Sequence, residues 1–172
     1  HLSRLIEDLL DVSRIDQGKI ALRLERVSLQ AVLESAIDTS RPKIDAGLHA
    51  LTVELPDEPA WIAGDFTRLS QVVSNLLTNA AKYTPAGGEL RLSAGLEADF
   101  VQIEVEDNGV GVPPEMQERI FALYTQVPGP DTRSSEGLGI GLALVKQLVE
   151  LHRGSIAVSS EGEDQGSRFT VR

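Results

Sequence analysis

The sequence predicts an α+β protein: a two-layer α/β sandwich whose mixed, mostly antiparallel sheet of about five strands is covered on one face by helices, preceded by one isolated N-terminal helix. Three observations carry this. Stretches of helical and of alternating periodicity are intermingled along the chain. A Gly87-Gly88 turn leads into two alternating runs, Glu89 to Ala94 and Phe100 to Glu106, which read as a hairpin. Two further short runs, Ser155 to Ser159 and Ser167 to Val171, close the chain around the turn EGEDQG.

Leu2, Leu5, Ile6, Leu9, Leu10 and Ile15 trace an apolar stripe at helical spacing. A helix of about 16 residues spans roughly 24 Å and cannot bury such a stripe alone. It is expected to pack on a neighbouring helix, either missing from this fragment or supplied by a second chain. Gly18 stops it. Lys19 to Leu24 alternates and is expected as an edge strand. Ser28 is the expected N-cap of a helix reaching Gly47, bent or interrupted at Pro42. Leu51, Val53 and Leu55 alternate as a strand that Pro56 ends, and Trp61 to Ala63 forms a short apolar one. Asp65 can cap the next helix, which stacks Val72, Val73, Leu76, Leu77, Ala80 and Ala81 on one side and stops before Thr84-Pro85. Pro113-Pro114 opens a short helix ending near Phe121. Thr125 to Glu136 carries no period and is rich in Pro, Gly, Ser, Thr and Asp, so a mobile loop is expected. Leu142 to Leu151 is a strongly apolar helix ended by His152, Arg153 and Gly154.

The 172 residues suffice for one domain with a real core plus a short appendage. A hydrophobic share of 41% and a charged share of 24% are ordinary for a globular chain. No apolar run approaches the roughly 18 residues that span a bilayer. With no Cys, disulfide scaffolds, thiolate metal sites and cysteine nucleophiles are excluded. A net charge of −10 argues against nucleic acid or an anionic membrane as the main partner. Any nucleotide site must therefore be locally electropositive within a repelling background. The chain opens in mid-pattern without Met and reads as an excised fragment.

Three segments can carry chemistry. Asn75, Asn79 and Lys82 recur every three or four residues and share one helix side. Carboxamide oxygens are hard ligands suited to Mg²⁺, and a Lys supplies a point charge for phosphate; the alternative is a solvated polar stripe on a core helix. In DNGVGV, Asp107 ends a strand and is followed by glycines. Its carboxylate accepts hydrogen bonds, so its natural partner in a nucleotide is the exocyclic amine of adenine; the alternative is an Asx-type turn. In EGLGIGL, alternate glycines before a helix let N–H groups converge at its positive end, where phosphate is favoured. The Gly-Lys-Ser/Thr ending of a Walker loop is missing, and no strand precedes it as a dinucleotide fingerprint requires. The alternative is a glycine-rich hinge.

At these residues the chain resembles bacterial sensor histidine kinases, the signal-transduction transferases of two-component phosphorelays. NLLTNAAKYTP, DNGVGVP, RIFALY and EGLGIGLALVKQLVELH look like their N, G1, F and G2 segments. The resemblance implies that residues 18–172 are the catalytic ATP-binding domain, of the fold shared with gyrase-type ATPases. Residues 1–17 would be part of the second helix of the dimerisation and histidine-phosphotransfer hairpin. By position, it implies that Asn75 and Asn79 hold Mg²⁺ and phosphates and that Lys82 contacts phosphate, Asn75 and Lys82 being the catalytic pair. Tyr83 stacks near adenine, Asp107 binds its amino group, and Gly109 and Gly111 allow close approach to the base. Gly137, Leu138, Gly139 and Gly141 form the turn on the phosphates. Residues 122–137 form the ATP lid with Phe121 at its root, and Ser167 lies near the base. Arg153 departs from the small residue usual after His152.

The resemblance also separates subclasses. Gyrase-type ATPases carry Glu at the position of Asn75, as general base on water, whereas Asn cannot accept a proton at neutral pH. The expected activity is therefore transfer of the ATP γ-phosphoryl group to a histidine on a hairpin helix missing from this fragment, then to a response-regulator receiver aspartate. None of His1, His49 and His152 sits in a phosphoacceptor motif. A homodimeric parent, a cytoplasmic setting and no nucleic-acid partner complete the expectation. Two other readings stand beside it: a nucleotide-binding or degenerate module of the same fold acting through protein contacts, and a stand-alone gyrase-type ATPase that Asn75 disfavours.

Overall fold

The computed structural model describes residues 2–125 and 138–172, with the side chains of the first helix placed from Ile6 to Ile15. His1, Gly137, Arg133, the lid from residue 126 onward and the side chains of Leu2 and Leu5 lie outside the described residues. In chain order the elements are α1 (Leu2–Asp16), β1 (Glu25–Ser28), α2 (Leu29–Ala46), β2 (Ala50–Glu54), β3 (Trp61–Gly64) and α3 (Phe66–Tyr83). Then come β4 (Glu89–Glu97), β5 (Phe100–Asp107), two 3₁₀ turns, α4 (Gly141–Leu151), β6 (Ile156–Ser159) and β7 (Ser167–Val171).

Five strands form one mixed sheet in the order β2-β4-β5-β7-β6. Only β2 and β4 run parallel, joined by a crossover through β3 and α3, and every other pair is antiparallel. Along β4 and β5 the pattern is strict: Leu90, Leu92, Ile103 and Val105 are buried while Glu89 and Arg91 face water. The buried side meets Leu33 and Ile44 of α2, Leu76 and Leu77 of α3, and Leu144 and Leu148 of α4 in one core. Ion pairs Arg91–Glu54 and Arg168–Glu106 join strand neighbours, the first between exposed side chains and the second with Glu106 half-buried. No described helix is long and apolar enough to cross a membrane.

Four expectations are corrected. Residues 19–24 form no strand. The ladder that does form is β1 on β3, beginning at Glu25 opposite Gly64. One step further, Leu24 would face Asp65, the N-cap of α3, beyond which the chain is helical from Phe66, so the ladder has nothing to continue on. Arg23 N–H instead donates to Asp65 Oδ2 at 3.0 Å. Secondly, α2 runs unbroken through Pro42. Thirdly, the expected helix after Pro113-Pro114 is two separate 3₁₀ turns, Pro114–Met116 and Arg119–Phe121, too short for α-helical cooperativity. Lastly, α1 is not isolated. It packs on α4, buries Val12 to 3% exposure, and its Asp11 receives both Nη1 and Nη2 of Arg68. Ile6, Leu9 and Leu10 remain exposed.

Candidate functional site

The site is built on α3. Asp65 Oδ1 accepts the Arg68 N–H at 3.1 Å, which satisfies one orphan donor of the first turn and fixes where the helix starts. Core packing of Val72, Val73, Leu76 and Leu77 then sets its rotation. That rotation grades the polar stripe: Asn75 is buried at 5% exposure, Asn79 half-buried and Lys82 exposed. Lys82 Nζ lies 3.3 Å from the Tyr83 hydroxyl and 4.8 Å from its ring centroid. The stripe thus climbs from floor to rim along one helix, and Tyr83 stands at the rim.

The end of α3 is docked onto the aspartate turn. Val110 N–H donates to the Tyr83 carbonyl at 3.0 Å. A Cβ on Gly109 would come within 2.3 Å of that same carbonyl oxygen, so only glycine allows the approach. Gly111, at φ +71°, would place a Cβ 2.0 Å from the Gly162 carbonyl. Asp107 ends β5 directly opposite Ser167 of β7. Its Oδ2 accepts from Ser167 Oγ at 2.6 Å and its Oδ1 from Gly109 N at 2.9 Å. Burial pushes the Asp107 carboxyl up, against the opposing hydrogen bonds from Ser167 and Gly109. The neighbouring Asn108 serves the fold, its Oδ1 accepting Glu89 N–H at 2.8 Å.

Sequence reasoning missed the layer behind this turn. Ser160 Oγ accepts from Val112 N at 3.0 Å and donates to the Gly166 carbonyl at 2.7 Å. Gly166 in turn donates its N–H to the Gly109 carbonyl, and at φ +67° has room for no Cβ against the Asp107 carbonyl. Gln117 Nε2 bridges the carbonyls of Val112 and Ser160. The only signal was the glycine just before Ser167. Thr84, which follows α3, is buried, and its hydroxyl has no hydrogen-bond partner among the described residues.

The glycine turn meets the root of the lid. The Gly139 carbonyl accepts Tyr124 N–H at 3.0 Å, and at φ +67° a Cβ there would sit 2.8 Å from the Thr125 carbonyl oxygen. Phe121 packs edge-on against Phe169 of β7 at 6.3 Å, two residues from Ser167. Helix α4 then begins at Gly141 with no side-chain cap and no acidic residue in its first turn. Among the described residues no side chain caps its first N–H groups, which suit an anion or water. A Cβ on Gly141 would meet nothing within 4 Å among the described residues, and Leu138 is exposed. Through Ile140 and Leu144 this helix shares a core with α3. Hydrogen bonds therefore join the end of α3, the aspartate turn and β7, while the glycine turn reaches them by packing.

Among the described residues there is no cluster of three or more His, Asp or Glu able to hold a metal. A cation at this site would have to be held by the carboxamides of Asn75 and Asn79 and by oxygens of a ligand, which suits a hard ion that keeps much of its water. A depression lined by Ser93, Gly95, Gln102 and Glu104 lies along the β4–β5 hairpin and shares no residue with the site.

Comparisons with known proteins give the family and the fold. The family of histidine kinase-, DNA gyrase B-, and HSP90-like ATPases matches residues 64–172. The circadian input-output histidine kinase CikA of Thermosynechococcus vestitus is 35% identical over 99% of the chain, which spans 24% of that relative. The alginate biosynthesis sensor protein KinB of Pseudomonas aeruginosa is 40% identical over 96% of the chain, which spans 27% of it. A crystal structure of full-length ShkA in complex with AMPPNP superposes with a TM-score of 0.84 at 29% identity, covering 99% of this chain and 35% of that one. The chain thus spans about a quarter to a third of the length of these relatives.

Proposed function

The chain belongs to the family of histidine kinase-, DNA gyrase B-, and HSP90-like ATPases, and from that premise we propose that it is the ATP-binding catalytic domain of a sensor histidine kinase. Residues 18–172 form that domain, and residues 1–17 belong to the hairpin that carries the phosphoacceptor histidine. The observation that carries the reading is the Asp107 carboxylate, gripped by Ser167 and Gly109 beside a glycine pressed onto the carbonyl of Tyr83. A carboxylate has about four acceptor sites. Gly109 N–H and the hydroxyl and backbone N–H of Ser167 take up part of that capacity, and the rest remains for the amino group of adenine.

Around that anchor each residue has a part. Tyr83 flanks the base, and Gly109 and Gly111 keep the backbone out of its way. Asn75 and Asn79 offer carboxamide oxygens to Mg²⁺. Lys82 and the start of α4, with Leu138, Gly139 and Gly141, face the phosphates; Gly137, the remaining residue of that motif, lies outside the described residues. Bound Mg²⁺–ATP supplies the γ-phosphoryl group and neutralises part of its charge. The protein's task is positioning, since Asn75 cannot take a proton from water. The phosphoryl group passes to a histidine that is neither His49 nor His152. His49 Nε2 is engaged by the Ala81 carbonyl, and His152 donates from Nδ1 to the Leu148 carbonyl and accepts Asp65 N–H at Nε2. A response-regulator aspartate then receives it, in a parent that is a homodimer.

Calorimetric titration of the chain with ATP, with and without Mg²⁺, tests the binding. Adding the parent's phosphoacceptor hairpin in trans with γ-labelled ATP tests the transfer. Magnesium-linked affinity and labelled histidine are expected. An absence of magnesium-linked binding favours a degenerate module acting through protein contacts, and sustained release of free phosphate without the hairpin favours a hydrolase.

A further inference from the structure

A histidine that the reading above does not use stands behind the site. In a helix the carbonyl of residue 81 accepts from the N–H of residue 85, but residue 85 is proline and has none. The sequence therefore leaves the Ala81 carbonyl orphaned in the last turn of α3, immediately before Lys82 and Tyr83. His49 fills the gap: its Nε2 lies 2.9 Å from the Ala81 oxygen, in a residue only 9% exposed. A carbonyl only accepts, so Nε2 carries the hydrogen and Nδ1 is bare. Nδ1 is buried and has no hydrogen-bond partner among the described residues.

The imidazole is held from both sides. His49 N–H donates to the Ile44 carbonyl at the end of α2, and Ala50 N–H donates to the Gly88 carbonyl beyond Pro85. The ring lies over Gly47, where a Cβ would come 2.2 Å from Nε2 and 2.5 Å from Cδ2. Gly47 is thus the space in which the imidazole sits. Two residues further along α3 the Tyr83 carbonyl takes Val110 N–H, so Lys82 lies between two carbonyls fixed from outside their own helix.

We propose that His49 is a positioning residue for nucleotide binding: by donating Nε2–H to the carbonyl that Pro85 leaves open, it sets the last turn of α3 and with it Lys82 and Tyr83. The inference rests on the nucleotide reading and adds a residue outside its motifs.

The test titrates ATP and AMP into the wild-type chain, His49→Gln and His49→Leu, well below the melting temperature of each. Leu has similar bulk and no donor, whereas Gln carries an N–H that can reach the same oxygen. His49→Leu is expected to lose about tenfold in ATP affinity, the order of one buried hydrogen bond. It should lose less for AMP, because Lys82 faces the outer phosphates, and His49→Gln should recover most of the loss. Unchanged ATP affinity in folded His49→Leu, an equal loss for ATP and AMP, or no rescue by Gln overturns the role. If His49→Leu does not fold, nitrogen-15 NMR of the wild-type imidazole decides: a neutral ring protonated at Nε2 with a slowly exchanging proton is expected, and the Nδ1–H tautomer overturns it. A wild-type chain that binds no ATP overturns the nucleotide reading and this role together, which is distinct from wild type binding and variants that do not differ.

Discussion

Asp107→Asn separates recognition from folding at the centre of the site. Asp107 uses Oδ1 for Gly109 N–H and Oδ2 for Ser167 Oγ–H. In the amide, oxygen must stay toward Gly109, because a backbone N–H cannot accept, and the new NH₂ falls toward Ser167, whose hydroxyl can turn and accept. The bonds to Gly109 N–H and the Ser167 hydroxyl are kept, the one from Ser167 N–H is lost, and the edge offered to the base changes from acceptor to donor. A hydrogen bond to a charged acceptor is worth about 1.5–3 kcal/mol, so ATP affinity should fall about ten- to hundredfold. GTP, whose base carries a carbonyl where adenine has the amine, should lose less or gain.

Stability should move the other way. Burial holds the folded carboxyl above its reference value of 3.8. The contribution of Asp107 to folding is therefore greatest below 3.8 and is lost as pH rises through the folded value, where the ionised group must stay buried. At neutral pH Asp107→Asn should accordingly melt at or above wild type, with the gap closing on acidification. In wild type, ATP affinity should begin to fall at a higher pH than an ordinary carboxylate would give, and the variant should lack that limb. Calorimetry with ATP and GTP across pH, beside urea melts, reads all of this. A folded variant with unchanged ATP affinity and an unchanged ATP-to-GTP ratio would refute the adenine contact.

Two further perturbations test the frame around it. Gly109→Ala puts a Cβ 2.3 Å from the Tyr83 carbonyl oxygen and 2.8 Å from Asp107 Oδ1. Overpacking there should cost about 1–3 kcal/mol and lower ATP affinity at least as much as Asp107→Asn, so unchanged melting and binding would show that the turn does not rest on α3. Asp65→Ala removes the cap of α3 and the anchor of Arg23, and an unfolding free energy lower by about 0.5–2 kcal/mol in urea melts is expected. Burial raises the Asp65 carboxyl, but the N–H groups of Arg23 and Arg68 and the charge of Arg68 outweigh it and hold it below 3.8. Its contribution is present above 3.8 and is lost as pH falls through the depressed value, so the difference between variant and wild type should shrink only in strong acid.

The parts of the fold legible in the sequence were those whose cause is local. Ser28 and Asp65 cap the helices they precede, through bonds to Ala31 and Arg68, because capping needs only one side chain and the next turn. The hairpin of β4 and β5 followed from alternation, and the helix stripe of Asn75, Asn79 and Lys82 from period alone. What period could not supply was the partner. Lys19 to Leu24 alternates as well as many strands do, yet the segment that would continue the β1–β3 ladder beside it is already the start of α3. Trp61 to Ala63 was legible as a strand but not as one that leaves the main sheet to pair with β1. Within the site, the Asp, Asn and Gly positions announce themselves by chemistry, whereas Ser160, Gln117 and Gly166 are ordinary turn residues until the β6–β7 loop folds over Val112. In the sequence His49 has no role beyond lying outside a phosphoacceptor motif, because its partner, Ala81, is 32 residues away.

These contacts explain how a stripe on one helix can hold its geometry. A site of this kind needs its first contacts fixed to within a fraction of an ångström, which a rigid element supplies only if its ends do not slide. At the far end of α3 the Tyr83 and Ala81 carbonyls are gripped by Val110 and His49. At the near end one residue joins three segments: Asp65 takes the N–H groups of Arg68 and Arg23 and gives its own to His152 Nε2 at the close of α4. One turn on, Arg68 also binds Asp11 of α1 with both terminal nitrogens and reaches Gln71 Oε1 at 2.9 Å. The Asp11–Arg68 side chains are only 12% and 23% exposed, so parting them strands a charge out of water, at greater cost than parting a surface pair. A displacement of α1 must therefore either break that ion pair or draw on the same turn of α3 that Asp65 and His152 hold. Core packing sets the rotation of α3, and contacts at both of its ends hold that rotation and with it the height of Asn79 and Lys82 along the stripe.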